Sequence, residues 1–185
     1  MDGFDKNTKI FVALSLVEEL SVKKKFALLE QFDEPCELQE TFARGIVEKI
    51  LGDHAKDFYA KLERIDDSLN EMQKRDVHWI TFLDDEYPRS LSDVYDKPIV
   101  LFAKGNVEAL KMRIISVVGT RRPTRYGAKV AEEFSREFAR AGLCIASGFA
   151  RGVDGIAHKA CIDNNSATIA VFACGLDVIY PAEHR

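Results

Sequence analysis

Cysteine is scarce in this sequence and long apolar runs are missing, and both shortages narrow what the protein can be. The four cysteines include no CxxC pair, so neither a paired-thiol zinc site nor a disulfide scaffold is indicated. The longest apolar runs, such as residues 167–174, are far shorter than the roughly 20 residues that a membrane helix requires. No basic segment followed by an apolar one opens the chain. We therefore expect a cytoplasmic protein with no membrane segment.

Metal ligands are also sparse. Among the four histidines, only His158 has a possible partner ligand at helical spacing, Cys161, and two ligands do not make a zinc site. Cys144, Cys161 and Cys174 stand among apolar or small residues, which predicts buried, reduced thiols. We expect no metal ion and no cofactor.

Charge is distributed unevenly along the chain. Residues 1–110 carry 15 Lys and Arg against 23 Asp and Glu, a balance of -8, whereas residues 111–185 carry 11 against 7, a balance of +4. Residues 111–131 hold six basic side chains and no acidic one. Such a local excess attracts phosphate groups, although basic runs often do no more than solvate a surface.

The first part of the chain has the apolar spacing of helices and no strand pattern. Apolar residues recur every three or four positions from residue 8 to about 72, interrupted by Pro35, Gly45 and Gly52. Residues 54–73 in particular predict one amphipathic helix. The sequence thus indicates a small helical domain over residues 1–74, made of several short helices.

Residues 75–185 alternate between strand and helix patterns. The predicted strands are 78–82, 99–102, 114–118, 143–146 and 168–172, and the predicted helices are 126–141 and 152–164. On the first of these helices we expect Val130, Phe134, Phe138 and Ala141 to share the face that packs on the sheet. The fold class predicted is α/β, a Rossmann-like doubly wound and mostly parallel sheet preceded by the helical domain.

Loops that follow parallel strands meet at the carboxyl edge of the sheet, where open α/β sheets bind their ligands. The first such loop contains a glycine, hydroxyls and three arginines before a helix, which suits binding of anionic oxygen. The second adds a serine, glycines and another arginine. The candidate contacts with nucleic acid are Gly119, Thr120, Arg121, Arg122 and Arg125 of the first loop and Ser147, Gly148 and Arg151 of the second.

Several residues near these loops allow two interpretations. The first loop matches neither GxGxxG nor GxxxxGK[ST], so no dinucleotide or triphosphate site is indicated. Asp154 suits a helix cap better than a ligand role, and His158 suits a contact within the helix better than acid–base chemistry. Tyr126 and Phe149 either pack into the core or stack on bases.

Ordered motifs across residues 77–185 resemble the signature of the DprA/Smf family of DNA-processing proteins. They are SVVGTR (116–121), YG (126–127), SGFARGVD with AH (147–154, 157–158), TIAV (168–171) and GLDVIYP (175–181). Upstream, DEYP (85–88) and LFAKG (101–105) also match. The preceding helical region is similar to the sterile-alpha-motif-like (SAM-like) domain of many family members.

The resemblance implies a non-enzymatic protein that binds single-stranded DNA, protects incoming DNA and helps load the recombinase RecA in natural transformation. It makes Arg121 the best candidate phosphate contact. Family members continue beyond the Tyr-Pro turn with strands used for the DNA pocket, dimerisation and RecA contact. We therefore expect a truncated Rossmann-like domain here, with homodimer formation in the full-length protein. The alternative is a nucleotide-binding enzyme of the phosphoribohydrolase-like type, although its PGGxGT loop is missing.

Overall fold

The computed structural model describes residues 4–178 and 180–182. Ile179 of the last family motif and residues 183–185 lie outside this part of the chain. The protein forms two compact units, Met1–Gly105 and Asn106–Arg185.

The first unit is mainly helical. Its first two helices begin at residues whose side chains cap them, and Asp5 Oδ2 accepts a hydrogen bond from the Thr8 amide at 2.8 Å. Short 3-10 turns at Pro35–Gln39 and Thr41–Ala43 precede the third helix. The elements are α1 (Lys6–Ser15), α2 (Val22–Leu29), α3 (Arg44–Leu51), α4 (His54–Glu63), α5 (Ile65–Lys74), β1 (Val77–Thr81), α6 (Arg89–Ser92) and β2 (Val100–Lys104).

The single helix predicted over residues 54–73 is wrong. The chain breaks at Arg64, whose φ of −102° and ψ of 9° are not helical, and α4 and α5 lie on either side. Phe58 of α4 and Leu69 of α5 are both fully buried in the same core. The apolar spacing continues across the break because both short helices face that core.

The first two predicted strands form a two-stranded sheet within this unit, joined by a connection that contains α6. β1 and β2 pair antiparallel, with Val77 opposite Lys104 and Thr81 opposite Val100. Trp79 meets Phe4 edge-on, with ring centroids 5.6 Å apart. The compact unit that contains the helices extends to Gly105. The boundary expected after residue 74 stays a prediction.

The second unit contains the parallel sheet. A 3-10 turn at Val107–Lys111 leads into β3 (Ile114–Ser116), α7 (Arg125–Arg140), β4 (Cys144–Ser147), α8 (Val153–Asp163) and β5 (Thr168–Ala170). The strand order is β3-β4-β5, and both pairings are parallel. The predicted α/β fold with a Rossmann-like parallel sheet is therefore confirmed.

Both long helices of this unit cover the same face of the sheet. α7 and α8 pack on each other and on β4. Ala139 of α7, Ile145 of β4, and Ala157 and Cys161 of α8 form one buried cluster. Because these side chains are mostly small, the helices approach closely.

The face predicted for α7 was wrong at two of its four positions. Phe134 is 58% exposed and Ala141 is also exposed, whereas Ser135 and Ala139 are buried. Phe138 remains half-buried against the core cluster, with its ring centroid 5.8 Å from that of Phe134. Ser135 and Ala139 occupy the contact between α7 and α8 because a phenylalanine at that position would hold the two helices apart.

Two of the three cysteines expected to be buried are buried. Cys144 and Cys161 are fully enclosed, and burial raises the pKa of both thiols. Cys174 is exposed, which corrects the expectation for that residue. Among residues 4–178 and 180–182, no helix is long and apolar enough to cross a membrane.

Candidate nucleic-acid interface

Three loops lie next to one another at the carboxyl edge of the parallel sheet. They follow β3, β4 and β5, and the strand order places the loop after β4 between the other two. We call residues 117–124 the basic loop and residues 148–152 the glycine loop. Since both run directly into the N-termini of helices, backbone amides and arginine side chains converge on one edge.

The basic loop is held by its own hydroxyls. Thr124 caps α7, and its Oγ1 accepts a hydrogen bond from the Gly127 amide at 3.1 Å. Thr120 Oγ1 accepts from the Arg122 amide at 3.2 Å. The amides of Arg125 and Tyr126 have no hydrogen-bond acceptor within the described part of the chain. The start of α7 thus presents amide donors with a defined orientation.

The glycine loop packs directly on the basic loop. The Val153 amide donates to the Thr120 carbonyl at 3.2 Å. Gly152 has a φ of +79°, and a Cβ added there would lie only 2.3 Å from the Thr120 carbonyl oxygen. A Cβ on Gly119 would in turn lie 2.7 Å from a methyl carbon of Val153. Glycine is therefore required at both positions by the close approach of the two loops.

Two buried polar residues, Ser147 and Asp154, hold the two loops in place. Ser147 is 3% exposed, and its hydroxyl donates to the Val117 carbonyl at 2.6 Å. Asp154 is 6% exposed, and its Oδ2 accepts from the Ala150 amide at 3.3 Å. The residue that caps α8 is Gly152, which makes no side-chain cap. Asp154 is thus structural, as expected. It was predicted to cap α8, but its carboxylate instead holds the glycine loop that precedes the helix.

His158 is buried beside this loop. Its Nδ1 lies 2.7 Å from the Thr168 hydroxyl of β5. The contact within the helix that the sequence suggested stays a prediction, and the bond shown here joins α8 to the sheet. The hydroxyl of Thr168 also donates to the Ile145 carbonyl at 2.9 Å. This network ties α8 to two strands under the glycine loop.

The arginines of the first loop differ from the basic residues farther along the two long helices of this unit. Arg121, Arg122 and Arg125 are exposed, and none forms an ion pair with a described residue. By contrast, basic residues farther along α7 and α8 each have a carboxylate partner on the same helix. These pairs are Lys129–Glu133, Arg136–Glu132, Arg140–Glu137 and Lys159–Asp163.

Positive charge is therefore balanced along the helices and unbalanced at the sheet edge. A guanidinium group without a carboxylate partner has all its N–H donors available to an anion. Two such groups on one loop can therefore bind adjacent phosphates. This arrangement provides sequence-independent attraction for a phosphate backbone.

The structure thus brings the predicted residues together at one edge. Gly119, Thr120, Arg121, Arg122 and Arg125 lie on the basic loop or at the start of α7, and Gly148 and Arg151 lie on the glycine loop beside it. The Ser147 hydroxyl joins the end of β4 to the basic loop. Direct contact of any of these residues with nucleic acid stays a prediction. Sequence reasoning missed that Gly152 allows the two loops to pack closely. The signal for this was that both loops follow neighbouring parallel strands.

The third loop, which follows β5, carries an exposed thiol and no arginine. Cys174 is exposed, and its Sγ donates to the Val178 carbonyl at 3.4 Å. A Cβ on Gly175 would lie 2.7 Å from Asp177 Oδ1, so this turn is also tight. Within residues 4–178 and 180–182, no group of three or more His, Cys, Asp and Glu side chains is placed to hold a metal ion.

The fold and this edge define a Rossmann-like α/β protein with exposed arginines and helix N-termini at the carboxyl edge of its sheet. Comparison with known proteins identifies it further. Residues 78–185 match the sequence model of the family described as DNA recombination-mediator protein A. The chain belongs to this family of DNA-processing proteins, also called DprA or Smf.

Individual relatives agree with this assignment. The chain is 41% identical over 135 residues to the DNA processing protein DprA of Bacillus subtilis, covering 72% of this chain and 44% of that protein. It spans less than half the length of the curated relatives it matches.

Two solved structures are also similar. DprA from Streptococcus pneumoniae matches with a TM-score of 0.75 and 30% identity, covering 100% of this chain and 63% of that one. DNA processing protein A from Helicobacter pylori matches with a TM-score of 0.50 and 34% identity, covering 57% of this chain and 47% of that one. The latter structure concerns a single-stranded DNA binding mode of that protein.

Proposed function

We propose that this chain binds single-stranded DNA at the carboxyl edge of its parallel sheet, with the basic loop contacting the phosphates. The observation that carries the proposal is the set of three exposed arginines without ion-pair partners in the described structure, Arg121, Arg122 and Arg125. Two tight glycine contacts hold the backbone that presents them. The single-stranded DNA binding of the H. pylori relative supports the same ligand class.

The position of the site is one at which a single strand can bind. Open α/β sheets bind ligands in the crevice beyond the carboxyl ends of their strands, and such a crevice admits a flexible backbone more readily than a rigid duplex. Arginines on such an edge contact phosphates without reading the sequence, so binding should tolerate any base composition.

We propose further that the whole protein acts without a reaction of its own. In this proposal it protects incoming DNA, helps load RecA onto the strand in natural transformation, works in the cytoplasm and forms a homodimer at full length. Membership of the DNA recombination-mediator protein A family supports this role.

Competition binding tests the proposed ligand. The protein is bound to a fluorescent single strand of about 20 nucleotides, and unlabelled single strand or the duplex of the same length is added at matched salt. We expect the single strand to displace the probe at much lower concentration, because the duplex cannot enter the edge. Equal displacement by duplex would mean that the site responds only to charge density, and the proposal would be abandoned.

Turnover of nucleoside monophosphates in a parallel assay would support the phosphoribohydrolase-like alternative instead.

A further inference from the structure

A large aromatic side chain stands uncovered beside the basic loop. Tyr126 is the second residue of α7, directly after Arg125, and it is 79% exposed. No ring contact to another described residue involves Tyr126. A tyrosine ring exposed to this extent carries an apolar face that a ligand can cover.

The other aromatic residue near the arginines is already engaged. Phe149 of the glycine loop packs between two rings, with centroids 5.5 Å from His158 and 5.0 Å from Phe172. Its backbone has a φ of +59°, which is unusual for a residue other than glycine. These contacts anchor the glycine loop, so the Phe149 ring is occupied while the Tyr126 ring beside the arginines stays uncovered.

The direction of the Tyr126 side chain is set by helix geometry. Side chains on an α-helix tilt toward its N-terminus, so a residue in the first turn covers the segment before the helix. For Tyr126 that segment is the basic loop. The first turn itself is fixed by the Thr124 cap, whose hydroxyl accepts from the Gly127 amide. The cap therefore fixes the backbone of Tyr126 directly beside Arg125, and the tilt of the helix directs the ring toward the basic loop.

We propose that Tyr126 is a base-stacking residue, whose ring takes the face of one unpaired base while the neighbouring arginines hold the flanking phosphates. The inference rests on the proposed function and adds a source of selectivity to it. Base faces are buried within the stack of a duplex and are free in a single strand, so stacking rewards single strands of any sequence. Charge alone supplies no such preference.

Abasic DNA separates stacking from phosphate contact. Affinities of wild type, Tyr126→Ala and Tyr126→Phe are measured for an oligothymidine of about 20 nucleotides and for an abasic strand of equal length, at one salt concentration. Tyr126→Ala should bind the oligothymidine about 5- to 100-fold more weakly. It should bind the abasic strand as wild type does, and Tyr126→Phe should bind both strands as wild type does.

Phe134→Ala is the matched control, because Phe134 is an exposed aromatic residue two turns along the same helix. It should leave both affinities unchanged. A second readout is the emission of Tyr126→Trp, which the base-bearing strand should quench and the abasic strand should not, after subtraction of the signal of Trp79 measured in wild type.

Equal losses of Tyr126→Ala on both strands, or no loss on either, would overturn the stacking role while leaving the proposed function intact. Failure of wild type to bind either strand would overturn the proposed function itself, and the stacking role with it.

Discussion

Gly152 is the residue at which the two loops of the interface come closest, and alanine at this position tests how far the site depends on that contact. The backbone there has a φ of +79° and a ψ of −127°, a conformation that costs an L-residue about 1–3 kcal/mol. The added Cβ would also lie 2.3 Å from the Thr120 carbonyl oxygen and 2.8 Å from Arg121 Cα. Because Cβ atoms essentially never come within 3.0 Å of a heavy atom of a residue that is not a chain neighbour, the Thr120–Arg121 segment must move by about 0.7 Å or more.

We expect Gly152→Ala to lower the free energy of unfolding of the second unit by about 2–5 kcal/mol, the sum of backbone strain and forced displacement. It should also weaken binding of single-stranded DNA, since the displaced segment carries Arg121. Urea unfolding followed by circular dichroism measures the first effect. The single tryptophan, Trp79, belongs to the first unit, so its fluorescence identifies the transition of that unit.

Gly142→Ala is the control for Gly152→Ala. Gly142 has nearly the same φ, +77°, but a Cβ there would meet no atom within 4 Å. This variant should lose about 1–2 kcal/mol from left-handed strain alone and keep its affinity for DNA. If the two variants proved equal in stability and in affinity, the close packing of the loops would have no part in shaping the site.

Two further predictions concern the elements that support the edge. Thr124→Ala should lower the free energy of unfolding of the second unit by about 1 kcal/mol through loss of the α7 cap, and Thr124→Ser should restore it; denaturation midpoints measure this, and equal stability of the two variants would contradict the cap. Cys174 should react with a thiol reagent in the folded protein, whereas Cys144 and Cys161 should react only on unfolding, because burial encloses both thiols and raises their pKa values. Rapid modification of either buried thiol in native buffer would contradict the packing of β4 against α8.

Much of the second unit could be predicted from the sequence because its strands and helices differ sharply in apolar period. The strand patterns at 114–118 and 143–146 correspond to β3 and β4, and the helix pattern at 126–141 corresponds to α7. The boundaries shift by one or two residues where pairing ends. Val118, predicted in a strand, lies beyond β3 and is 70% exposed.

Other features depend on tertiary contacts that periodicity does not encode. The break at Arg64 is hidden because α4 and α5 both direct apolar residues to one core. The burial of Ser135 in place of Phe134 follows from the close approach of α7 to α8. The pairing state of each arginine was likewise beyond reach, since the sequence does not show which basic residues meet a carboxylate.

The measurement that tests the central claim most directly is the salt dependence of single-stranded DNA binding by two triple variants of equal charge. One replaces the arginines of the basic loop and of the start of α7, as Arg121→Gln, Arg122→Gln and Arg125→Gln. The other replaces basic residues that have carboxylate partners, as Arg136→Gln, Arg140→Gln and Lys159→Gln. Affinity for a labelled strand is followed by fluorescence anisotropy over a range of salt concentrations.

If the basic loop contacts phosphates, its triple variant should bind more weakly to every sequence, and the slope of log K against log salt should flatten by about 2, because each lost contact on a single strand contributes about 0.7. The second variant should keep nearly the wild-type slope, since its arginines and lysine are already paired with carboxylates. Equal losses in both variants, or an unchanged slope in the first, would contradict the placement of the DNA site at this edge.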